Sequence, residues 1–77
     1  MKLILASKSK SRAMVLGLLG FEFEAVPANV DERAISRQTV EELTEAIASA
    51  KAKKVAIAFP NDFVLGIDGS VEILYKQ

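Results

Sequence analysis

The sequence predicts an α/β fold with elements in the order β-α-β-α-β-β, a mixed sheet flanked by helices. Three observations carry that reading. Residues 3–5 (LIL) and 63–67 (FVLGI) are short, continuous apolar runs, the pattern of strands covered on both faces, as parallel strands usually are. Residues between and after them change period, from helical to alternating and back to helical. Strands alternating with helices in this way build an α/β sheet.

Each element has its own local cause. After the first run, Met14, Val15, Leu18 and Leu19 fall on one helical face, with the helix starting at Ser9 or Ser11 and Gly20 as its natural stop. Phe21, Phe23 and Ala25 then alternate with Glu22 and Glu24, which predicts a second strand with one wet face, halted near Pro27. Residues 28–38 read as loop. Thr39 with Glu42 three places on is a capping box, and the Ala-rich segment beyond it has high helix propensity to about Phe59, where Pro60-Asn61 breaks it. Residues 63–67 and 71–75 give two further strands.

Composition narrows the chemistry. The 77 residues make one small domain, and a chain of this size buries only about 60–65% of its unfolded surface. Ten basic and ten acidic side chains cancel, so the charge balance points to no nucleic acid and no membrane surface as partner. With no cysteine and no histidine, disulfides, thiolate zinc sites and Ser-His-Asp or Cys-His catalysis are excluded together, and any metal must be held by oxygen. No apolar segment approaches the roughly 18 residues of a membrane span, and a cytoplasmic protein is the default expectation.

The first strand empties into LASKSKSR, residues 5–12. In open α/β sheets ligands gather beyond the carboxyl ends of the strands, where helix amino ends present unpaired N–H groups. Ser7, Ser9 and Ser11 can donate hydroxyl hydrogen bonds there, and Arg12 offers a planar fork suited to phosphate. The alternative is a serine that caps the helix beside solvated basic residues. Neither common glycine-rich phosphate loop is present.

Lys51 is a sharper oddity, standing four after Ile47 and four before Val55 inside the stripe that should face the core. A lysine there is paired, opens onto a cleft, or snorkels at the core's rim. Asp31-Glu32 and Asp68 can reach the same strand-end edge, where carboxylates suit Mg²⁺ with substrate phosphates. Asp31 also reads as a turn starter, and Asp68-Gly69 as a type I′ hairpin.

The order LASxSxxR (residues 5–12), FEFEAVPANVDE (21–32), EAIASAKA (45–52) and VLGID (64–68) resembles the amino-terminal half of the Maf, or septum-formation-inhibitor, family of nucleoside triphosphate pyrophosphatases. The resemblance implies a lobe of a bent mixed sheet similar to that of the inosine triphosphate pyrophosphatases, with the nucleotide in a cleft between two lobes. It implies phosphate contacts from Ser7 and Arg12, with Ser9 beside them, and a glutamate of a VDE motif at Glu32. Lys51 matches the lysine of an AKA motif, and Asp68 matches an aspartate that serves as base for the attacking water or as metal ligand. Glu32 and Asp68 would hold Mg²⁺ or another divalent cation such as Mn²⁺, and Glu32, Lys51 and Asp68 would be the catalytic set.

The pattern also departs from the family's. Lys10 and Ser11 replace a proline and an arginine, which makes the first loop less rigid and removes one fork. Gly69 and Ser70 replace a threonine and an apolar residue after Asp68. Family members run well past residue 77, so residues 1–77 are expected to form a single lobe whose uncovered apolar surface favours a homodimer or larger assembly. The expected function is nucleoside triphosphate hydrolysis to monophosphate and pyrophosphate. The alternative is a non-catalytic phosphate-binding or self-associating domain.

Overall fold

The structure, a computed structural model, describes residues 2–77. Its elements are β1 (Leu3–Ala6), α1 (Lys10–Leu18), β2 (Glu24–Val26), a 3₁₀ turn (Glu32–Ala34), α2 (Val40–Ala56), β3 (Phe63–Asp68) and β4 (Val71–Tyr75). The strands form one mixed sheet in the order β2-β1-β3-β4. β1 is parallel to both β2 and β3, and β4 is antiparallel to β3. The carboxyl ends of three strands therefore share one edge of the sheet. Ser7, Ala28 and Asp68 lie at that edge because each ends or closely follows one of those strands.

The core lies between one face of this sheet and α2. Ile4 and Val64 are adjacent in register and fully buried against Ala52, Val55 and Ala56. Small residues let the helix come close. A Cβ built on Gly66 would lie 2.1 Å from the Ala48 carbonyl oxygen and 3.0 Å from the Ala52 Cβ, so glycine and alanine set the helix–sheet distance together. The capping box forms as the sequence predicts. Thr39 Oγ1 accepts from the Glu42 N–H at 3.1 Å and its hydroxyl donates to Glu42 Oε1 at 3.1 Å.

Four boundaries differ from expectation. β2 is only three residues long, because its register with β1 starts at Ile4↔Glu24 and leaves Phe21 and Phe23 ahead of the pairing. α2 stops at Ala56 rather than Phe59, and the next amides turn back in i→i−3 bonds, Ala58 to Val55 and Phe59 to Ala56. The hairpin turn is centred on Gly69-Ser70, not Asp68-Gly69, since Asp68 still pairs with Val71. Gly69 has φ +57° and Ser70 does not share the positive φ, which suits a glycine-first two-residue turn rather than type I′.

The fourth difference is the largest. α1 buries none of its residues, and its expected core face is exposed: Met14 at 66%, Leu18 at 81% and Leu19 at 67%. On the sheet face turned away from α2, Leu3, Leu65 and Leu74 line an open cavity of about 500 Å³ with Leu16, Leu19 and Phe21. This face is only partly covered: Leu5 is fully buried and Leu16 of α1 half-buried, while the stripe Met14, Val15, Leu18 and Leu19 stays exposed.

Candidate active site

Where β1 ends, the chain turns through Ser7 into α1. Ser7 is buried, its N–H donating to the Leu5 and Val26 carbonyls, each at 3.1 Å, which ties the bend to β2. Its Oγ accepts from the Ser9 N–H at 3.1 Å, leaving the hydroxyl proton to be donated. Ser9 is the helix cap, its Oγ accepting from the Arg12 N–H at 3.2 Å. The capping role weighed against ligand binding is thus Ser9's local role. Ser11 is exposed and does not line the cavity described next.

Ser7, Lys8, Ser9 and Arg12 form one wall of a cavity of about 310 Å³ at the strand-end edge. Ala28, Asn29, Val30 and Glu32 form a second wall, and Lys51 of α2 closes it. Glu32 is placed by the 3₁₀ turn, which Asp31 caps by accepting from the Arg33 N–H at 3.2 Å, so the turn-starting reading of Asp31 is the one observed. The sequence reading missed Lys8, Asn29 and Val30 as lining residues. The first lies within the cationic bend and the other two immediately precede Asp31-Glu32, so proximity in sequence was the available signal. Lys54 on α2 also donates to the Asn29 carbonyl, anchoring that second wall to the helix.

The Lys51 side chain is only 13% exposed and sits among oxygens. Its Nζ lies 3.7 Å from Glu32 Oε2, 3.6 Å from Asp68 Oδ1 and 3.4 Å from the Ile67 carbonyl oxygen. Of the readings open to this lysine, pairing at the lip of a cleft is the one the geometry shows. Asp68, at the end of β3, lies beside Lys51 without lining the cavity, and it serves the hairpin and the ion pair at once. The two carboxylate oxygens are no further apart than the sum of their distances to the ammonium.

No group of three or more His, Cys, Asp or Glu residues that could hold a metal occurs among the described residues. Glu32, Asp68 and the Ile67 carbonyl offer a hard, all-oxygen donor set. That set fits Mg²⁺, which usually takes one or two carboxylates and completes its shell with phosphate oxygens and water.

The fold is an α/β sheet whose parallel strands end together at a pocket lined by hydroxyls, cations and a carboxylate. Comparison with known proteins narrows this. Residues 2–77 match the model of the Maf family, described as Maf-like protein, and the chain belongs to that family. It is 44% identical over 72 residues to a dTTP/UTP pyrophosphatase of Syntrophus aciditrophicus, an alignment covering 94% of this chain and 35% of that protein. It is 40% identical over 74 residues to a nucleoside triphosphate pyrophosphatase of Nitrobacter hamburgensis, covering 91% and 37%. A 7-methyl-GTP pyrophosphatase of Xanthomonas campestris pv. campestris is 40% identical over 67 residues, covering 87% and 35%. The chain spans about a third of the length of these curated relatives.

Proposed function

We propose that this chain carries the triphosphate-binding site of a nucleoside triphosphate pyrophosphatase, which hydrolyses a nucleoside triphosphate to the monophosphate and pyrophosphate. The observation that supports it most is convergence. Ser7, Ser9 and Arg12 of one segment, Glu32 of a second and Lys51 of a third line one cavity, with Asp68 3.6 Å from the Lys51 amine. The activities for which the relatives are named agree with that chemistry. Those of similar identity nevertheless name different nucleotides. In this reading the matched region handles the shared triphosphate, and base choice lies in other residues.

Ser7 and Ser9 donate to phosphate oxygens, and the Arg12 guanidinium spans two of them. A water molecule attacks the α-phosphorus, the bond to the oxygen bridging the α- and β-phosphorus atoms breaks, and pyrophosphate leaves with the bonding electrons. Asp68 accepts the proton of the attacking water, and Arg12 and Lys51 offset charge growing on the phosphate oxygens. Mg²⁺ or Mn²⁺, held by Glu32 and Asp68, would supply further neutralisation of that charge. The proposal includes a cytoplasmic location, where this substrate is available; no helix among the described residues is long and apolar enough to cross a membrane.

Incubation of the chain with a panel of nucleoside triphosphates and Mg²⁺ should release pyrophosphate in stoichiometry with monophosphate. Tight nucleotide binding without pyrophosphate release would reduce the site to a binding module. Neither binding nor release would reject the reading.

The exposed apolar face supports a second element, self-association. The cavity formed by Leu3, Leu19, Phe21, Leu65 and Leu74 has Lys2 and Glu72 at its rim. Its lining is mostly leucine, a surface that two copies related by a two-fold axis can bury against one another. We therefore assign this face to a homodimer or larger homo-oligomer.

A further inference from the structure

The Lys51 ammonium occupies an unusual place for a catalytic cation. It lines the cavity yet lies within 4 Å of both carboxylates the mechanism needs for a divalent ion, with a backbone carbonyl as third neighbour. All three contacts are long. At 3.4 to 3.7 Å they exceed the roughly 2.7–2.9 Å of a charge-assisted hydrogen bond, whereas the surface pair Lys2–Glu24 closes to 3.0 Å. A largely shielded ammonium surrounded by three oxygens, none within close bonding distance, is held by charge more than by directed bonds.

From this arrangement we infer that Lys51 is a resident counter-ion, keeping a divalent cation out of the Glu32–Asp68 pair until a polyphosphate draws the ammonium away. The inference deepens the proposed function and rests on it for the identity of the polyphosphate. Two carboxylates and one ammonium leave a single negative charge around the ammonium. A divalent ion arriving alone meets a like charge within 4 Å of both ligands, and that repulsion is weakly screened where the side chain is only 13% exposed.

A triphosphate seated against Ser7, Ser9 and Arg12 changes the balance. Lys51 lines the same cavity, so its flexible stem can swing the amine from carboxylate to phosphate oxygen without moving the helix. The carboxylates are then released for the cation. Cation and polyphosphate bind with positive coupling, and the coupling is reciprocal.

Mn²⁺ alone, with no nucleotide present, is the probe, read by the loss of its free electron paramagnetic resonance signal. The wild-type chain should bind it weakly. Lys51→Met should bind it roughly tenfold more tightly or better, as removal of a full like charge at this range requires. Lys53→Met, on the exposed face of α2, should match wild type, and adding Glu32→Gln to Lys51→Met should abolish the gain. If Lys51→Met fails to fold by circular dichroism, Lys51→Gln serves in its place. Mn²⁺ affinity unchanged or lowered in the neutral variant overturns the inference, as does a gain that survives Glu32→Gln. The readout is independent of turnover: failure here leaves pyrophosphate release untouched, and absence of release leaves the Mn²⁺ result standing.

Discussion

Lys51 illustrates how one side chain can be out of place by one criterion and in place by another. Its position in the apolar stripe of α2 is a fault if the stripe faces only core, and is resolved because the stripe runs past the end of β3 to the lip of the cavity. Replacing it with alanine would leave Glu32 and Asp68 without their cation and the transition-state charge without one clamp. A fall in kcat of about 10² to 10³ is expected for Lys51→Ala, measured as pyrophosphate release by folded protein, while Lys53→Ala on the exposed face should keep full turnover. Retention of full rate by Lys51→Ala would remove the lysine from the mechanism. The hydrogen bond and charge of Glu24 raise the pKa of Lys2, so this tie between the start of β1 and the edge strand persists below the usual lysine range and is lost as pH rises through the raised value.

Among the elements, the pairing of α2 with β3 decides where Lys51 goes. Ala48 and Ala52 lie directly over Gly66, and no side chain larger than hydrogen fits between helix backbone and strand. Gly66→Ala would push α2 off the sheet, because the first obstacle is a backbone carbonyl rather than a yielding side chain. The expected loss is at the upper end of the roughly 1–3 kcal/mol typical of overpacking, or beyond it, measured by urea denaturation. Near-native stability in that variant would show that the helix can shift freely. The other helix behaves differently: α1 is well formed at both ends, with Ser9 as cap and Gly20 at φ +87° after it, yet it buries nothing. Local signals mark where a helix starts and stops without determining what it packs on.

At the scale of the molecule, one sheet face packs on α2, and the other is only partly covered, leaving an apolar cavity edged by α1 and Phe21. Exposed leucines at this density favour burial against another surface. Sedimentation velocity over micromolar concentrations should show a concentration-dependent dimer or larger species, and Leu19→Glu, placed in the middle of the patch on an already exposed position, should shift it to monomer without loss of helix content. A wild-type chain that stays a folded monomer at high micromolar concentration would reject self-association.

The order of elements, the capping box at Thr39, the stop at Gly20 and the membership of the Maf family were all legible in residue order, because each depends on neighbours within a few positions or on motif spacing. The shortened β2, the hairpin centred one residue later and the exposure of α1 were not. Strand length is set by the register of a partner strand, and exposure by whether any surface arrives to cover an apolar stripe; neither is written in the segment itself. The meeting of Ser7, Glu32, Lys51 and Asp68 stands between these cases. Motif chemistry named the four residues, but it took three parallel strands ending at one edge, with a helix held close by Gly66, to bring an ammonium between two carboxylates.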